Sequence, residues 1–128
     1  MADRFNLSGD FRGAIVNIKS TLTNVQQSIG EIRSTDETAR KELEALIGQL
    51  SEALQMVPVE KQEQAEAVAE TAKVLVETAK AEKPNKTMLQ ISGEGLKQAA
   101  QNLAGVMPTV VTIASQIVMT VAKLTGAI

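Results

Sequence analysis

The stretch FRGAIVNIKSTLTNVQQSIGEI, residues 11–32, decides the fold. Phe11, Ile15, Ile18, Leu22, Val25, Ile29 and Ile32 follow one another at steps of 4, 3, 4, 3, 4 and 3, which sets all seven on one stripe of an α-helix. Asp10 stands where an N-cap would, and Gly30 falls near the helix end, where its low propensity matters least. An apolar stripe this regular over 22 residues is the pattern of an interhelical seam.

The same signal recurs downstream. Ser34 and Glu37 have capping-box spacing and open a second helix with the stripe Ala39, Leu43, Leu46, Leu50, Leu54 (or Ala53) and Val57. Asp36 with Arg40 and Glu37 with Lys41 are i,i+4 pairs with the acid first, the favourable order near a helix start. Pro58 ends this helix. A third spans about residues 60–82, with Ala65, Val68, Ala72, Leu75 and Ala79 inward and Glu63, Glu66, Glu70, Lys73, Glu77 and Lys80 on the far side. A fourth covers residues 86–105, with Leu89, Leu96, Ala99, Leu103 and Val106 inward, and Gly93 and Gly95 marking a weak point or a close approach. Pro108 opens a fifth, to about residue 124, with Val110, Ala114, Ile117, Val121 and Leu124 inward and Thr109, Thr112, Gln116, Thr120 and Lys123 outward. Each helix is about 25 to 35 Å long, and loops of about two to four residues force antiparallel neighbours. The expectation is all-α: an up-and-down antiparallel bundle of four to five helices, one domain over residues 1–128, with residues 1–12 a disordered or motif-bearing arm.

Composition narrows the function. The 128 residues hold no Cys, His, Trp or Tyr, and Phe only at positions 5 and 11. Thiolate and imidazole chemistry, disulfides and the usual zinc and haem ligand sets are therefore out of reach. The glutamate row of the third helix lacks the histidines of a dimetal bundle site and reads as a solvated face. Gly93-Glu94-Gly95 follows no strand and is not a phosphate loop. Thirteen basic against fifteen acidic residues give a net charge of −2, and two aromatics make no stacking platform, so nucleic acid is not an expected partner. Neither are a small-molecule substrate, a metal or a cofactor, and the chain is not expected to be an enzyme. Residues 1–13 carry four charges and no apolar run of signal-peptide length, so a cytoplasmic location is expected.

Residues 98–122 carry no charge. As one helix they would reach about 38 Å, enough for a hydrocarbon core of about 30 Å, but Gln98, Gln101, Asn102, Gly105 and Pro108 interrupt them. Three readings follow: the central helix of a bundle, a helix that inserts into membrane or oligomerises on activation through Val110, Ile113, Ile117, Val118, Val121 and Leu124, or a permanent anchor.

Residues 6–18, NLSGDFRGAIVNI, read equally as helix or strand. Ile15, Val16 and Ile18 are β-branched, and Gly9 and Gly13 lie four apart. A cap and entry turn over residues 8–13 is one reading; a short, nearly neutral, proline-free segment suited to cross-β stacking is the other. The pattern Asn6, Gly9, Asp10, Gly13, Ile15, Val16 resembles the amyloid-signalling motifs of bacterial immune-type receptors and effectors. That resemblance implies a terminal motif templating a partner's motif through Gly9, Asp10, Phe11, Gly13, Ile15 and Ile18, attached to a small helical domain of the Bell or HeLo-like, membrane-damaging type. The leading expectation is a non-catalytic interaction or oligomerisation module of bacterial signalling or defence, with a protein partner or its own copies. A membrane-perturbing, pore-forming effector is the alternative.

Overall fold

The computed structural model describes residues 2–34 and 36–126, and of residues 2–12 and 14 the backbone alone. It is an all-α bundle: α1 (Ala2–Ile29), α2 (Glu37–Leu54), α3 (Gln62–Ala79), α4 (Lys86–Gln101) and α5 (Pro108–Thr125), with one turn of 3-10 helix at Val59–Lys61. There is no strand among the described residues. Residues 6–18 take the helical option, and α1 begins before Asp10, so Asp10 is not its N-cap.

The stripes meet in one core. Ile18, Leu22, Val25, Ile29 and Ile32 are buried, and Ile15 packs on the core's edge. The expected stripes of α2 and α3 are buried throughout, with Leu54 rather than Ala53 turned fully inward. Two expectations fail at the margins. Val106 is exposed, because α4 ends at Gln101 and residues 102–106 turn away before α5 begins. Thr120 is buried although it was expected on the polar face of α5. Its hydroxyl donates to the Gln116 carbonyl at 2.8 Å, which lets a polar side chain sit inside at little cost.

The connections run six or seven residues, longer than expected, and their chemistry is specific. The N-cap of α2 is Asp36, whose carboxylate accepts from the Ala39 amide at 2.9 Å; Ser34 accepts from the Asp36 amide instead of opening the helix. Arg40 holds the turn between α1 and α2. One of its guanidinium nitrogens donates to the carbonyls of Ile32 and Ser34, each at 2.7 Å, and another pairs with Glu37. Asn85 caps α4, and Gly126 ends α5 in the left-handed conformation (φ 72°) that glycine adopts without strain.

Around the bundle the helices follow the order α1, α2, α5, α4, α3 and back to α1. The chain alternates direction, up and down, as expected. Connections of seven and six residues between touching neighbours set α1–α2 and α4–α5 antiparallel; Gln26 donates to the Glu44 carbonyl across the first pair, and Gly93 faces Val118 across the second. Consecutive helices need not be neighbours, however. The α2–α3 connection, residues 55–61, carries the chain past α1, and α3 lies on the other side of α1 and parallel to it. Gly13 lies beside Val59 and Gln62, Asn17 and Asn24 beside Glu66 and Glu70, and Ser28 beside Glu77.

Gly93 marks a close approach. A Cβ there would stand 3.1 Å from Val118 Cγ1. Gly93→Val is expected to destabilise by about 1–3 kcal/mol through overpacking, and Val118→Ala in the same chain to recover part of the loss. Arg40→Ala, which strips two carbonyls of a charged donor, is expected to cost about 1.5–3 kcal/mol. Chemical denaturation followed by circular dichroism measures all three.

Candidate functional site

The residues expected to carry function lie in three places. Gly9, Asp10 and Phe11 have helical backbone within α1, and their side chains lie outside the described residues. Gly13 is half-buried at the foot of α3. Ile18 is 1% exposed, and Ile15 packs beside it. On a helical backbone these positions do not form one exposed edge, and the two isoleucines serve the core.

Of the C-terminal set, Val110, Ile113, Ile117, Val121 and Leu124 are buried, while Val118 is half-buried against Gly93. The outward row of α5 is Thr109, Thr112, Gln116, Met119 and Lys123, all exposed. Among the described residues α5 is the one helix long and apolar enough to cross a bilayer, with mean hydropathy 1.2 and 39% of its residues buried. Its outward row is polar apart from Met119, and its inner face is buried in the core.

The glutamate row of α3 is exposed at Glu63, Glu70, Lys73 and Glu77, on the far side from the core as expected, and its edge runs along the seam with α1. Glu66 and Glu70 stand beside Asn17, Ser20, Thr21 and Asn24; Lys73 and Glu77 stand beside Asn24 and Ser28. Lys80 closes the seam with ion pairs to Glu31 (3.6 Å) and Glu77 (3.4 Å). No three carboxylates converge as a metal would need, among the described residues. An apolar cleft of about 310 Å³ lies where α3, α4 and α5 meet, lined by Leu75, Leu89, Val118 and Val121, with Lys86 and Gln90 as its polar groups. Two polar side chains on one rim do not orient a substrate against a reacting group.

What the sequence reading missed is the outward side of α3 and α4. Thr71, Val74 and Thr78 on α3 face the same way as Met88, Ile91 and Gly95 on α4. The helices run antiparallel, with Thr71 and Gly95 opposite each other. Val74, Met88 and Ile91 are exposed to 48%, 46% and 59%. The signal was present as a second row at steps of 3 and 4 (71, 74, 78 and 88, 91, 95) beside the core stripe. It is easily passed over because threonine and glycine score as neither apolar nor charged.

No protein-family model matches this chain, and neither a curated protein nor a solved structure matches it.

The threonine hydroxyls of this face spend their donors on their own helix. Thr71 donates to the carbonyls of Ala67 (2.9 Å) and Val68 (3.0 Å), and Thr78 to that of Val74 (2.8 Å). Thr71→Val and Thr78→Val together should therefore leave stability within about 1 kcal/mol of the parent, as read from the thermal midpoint by circular dichroism.

Proposed function

We propose that this chain works by contact: a non-catalytic helical module that binds a protein partner or its own copies. The observation that carries this is the placement of the apolar surface. The core consumes the inward stripes of all five helices, and still Val74, Met88 and Ile91 stand outward on the neighbouring helices α3 and α4. Adjacent exposed apolar side chains on one face mark a surface that another molecule covers, whereas single ones do not. The setting in bacterial signalling or defence comes from the resemblance of residues 6–18.

A photo-activatable cross-linking residue placed at Ile91, in the cells that naturally produce the chain, is expected to give a covalent protein adduct of discrete mass. The same residue at Lys41, on a charged and exposed part of α2, is expected to give none. Equal and diffuse labelling from both positions, or no labelling from either, would end the reading.

One observation favours a second reading, a membrane-perturbing effector with membrane association only on activation: the length and apolarity of α5. Insertion would require α5 to leave α2 and α4, carrying Lys123 as its one charge, close to its end. Dye release from anionic vesicles tests it. If α5 inserts, Gln116→Asp, an exposed position near the middle of the span, should abolish release while leaving circular dichroism unchanged, because a carboxylate at mid-bilayer costs about 2.5–3.5 kcal/mol. Release that survives this substitution, or no release from the folded parent, removes the reading.

A further inference from the structure

We infer that the cleft between α4 and α5 binds a straight-chain alkyl carboxylate of about eight carbons, with its tail inside and its carboxylate at Lys86. The site lies on another side of α4 from Met88 and Ile91, and it stands whether or not that side meets a partner.

The shape comes from one close contact. α4 and α5 touch where Gly93 faces Val118, a Cβ at Gly93 standing 3.1 Å from Val118 Cγ1. From there toward the start of α4 the helices leave the cleft of about 310 Å³, a volume in the lower range of small-molecule sites. Its floor is core surface: Leu75, Leu89 and Val121 are 1%, 6% and 1% exposed. On the α5 wall the half-buried Ala122 offers a methyl group where a longer side chain would fill the space. Val118, against Gly93, bounds the cleft at one end, and Lys86, the first residue of α4, at the other. The helix from Lys86 to Gly93 measures about 10 Å. A saturated chain with bonds of about 1.5 Å advances about 1.3 Å per carbon in its zigzag, so about eight carbons fill that length. Leucine, valine and alanine line it without an aromatic ring, which suits an alkyl tail.

The charge pattern selects the head group. Lys86 is the single charged residue on the lining, and Gln90, one turn along the same edge of α4, is the single other polar one. Among the described residues Lys86 has no ion-pair partner. Its place is an unfavourable one for a cation. The start of a helix carries partial positive charge, α4 has no acidic residue in its first turn, and the Asn85 cap answers the Met88 amide, at 3.1 Å. The facing end of α5 carries the opposite partial charge, but Lys123 in its last turn and the Gly126 amide already answer it. An anion at the mouth of the cleft therefore meets two positive features and no acidic residue on the lining, whereas an ammonium head is repelled. One lysine matches one negative charge. Because Lys86 and Gln90 are exposed, the carboxylate keeps part of its water there and is not buried unpaired.

Isothermal calorimetry on the whole chain tests this with hexanoate, octanoate and octylammonium, each kept below micelle formation. Octanoate, with ten non-hydrogen atoms, should bind saturably at one site with a dissociation constant of about 0.1–1 mM. Hexanoate, two CH₂ groups shorter, should bind about 15-fold more weakly, and octylammonium should show no saturable binding. Lys86→Glu should weaken octanoate binding at least about tenfold, while the ligand-free thermal midpoint stays level or rises, because an acid suits a helix start. Ala122→Leu, which fills the cleft, should abolish binding; if that variant does not fold, Lys86→Glu alone decides. Lys97→Glu lies on the same edge of α4 but about 16 Å further along, beyond a Debye length, and should leave binding within about twofold. No saturable octanoate binding by the folded parent, octylammonium bound as well as octanoate, or binding indifferent to Lys86→Glu overturns the inference. So does an equal loss from Lys97→Glu, which would mark general attraction to a basic surface.

Discussion

A closed ring of five helices cannot alternate direction all the way round, since an odd number leaves one adjacent pair parallel. Here that pair is α1 and α3, and much else in the molecule follows from it. The chain itself alternates without fault, so the parallel pair cannot be consecutive. The α2–α3 connection must therefore step past α1 rather than turn back on α2. That step takes residues 55–61, with Val57 buried as an anchor and Met56 and Val59 left exposed. Gly13 of α1, with open space where its side chain would be, lies beside this crossing.

The parallel pair also explains where the polar residues lie. Two parallel helices bring their C-termini, and hence their partial negative charges, to the same end of the bundle. At that end Lys80, the C-cap of α3, reaches Glu31 and Glu77, and Arg33 approaches Glu82. The asparagines and threonine of α1 line the rest of the seam against the α3 glutamates. Antiparallel helices have opposed dipoles and need no such arrangement. The α3–α4 pair accordingly meets through small and apolar residues, Thr71 against Gly95 among them.

Helix existence and the buried faces were legible in the residues, because periodicity reports the direction in which a side chain must point to leave water. Ile18 through Ile32 and Ala65 through Ala79 follow that rule without exception. The ends were less legible, because several side chains compete for the same amides. Ser34 has capping-box spacing to Glu37, yet Asp36, two residues nearer, offers a charged acceptor to Ala39 and takes the N-cap. Asp10 has the look of a cap between two glycines, but the backbone is already helical from Ala2. Neighbour order was not legible at all. A loop length bounds how far apart two helices stand and does not exclude a third passing between them. The face of Thr71, Val74, Thr78, Met88, Ile91 and Gly95 escaped for another reason: threonine becomes apolar only when its hydroxyl is already bonded, which a sequence does not display.

The composition bears on what kind of contact this surface can make. Interfaces of high affinity concentrate their energy in tryptophan, tyrosine and arginine, and the two-helix face has none of the three. Its free energy must come from valine, isoleucine and methionine area. These contributions scale with area and are individually small. A molecule built this way gains strength through repetition rather than through one anchor. When several such contacts are held together, each weak one becomes effectively intramolecular, and the assembly forms or dissolves over a narrow range of local concentration. That makes the face suited to a module that responds to being gathered by something else, and poorly suited to one that must hold a solitary partner tightly.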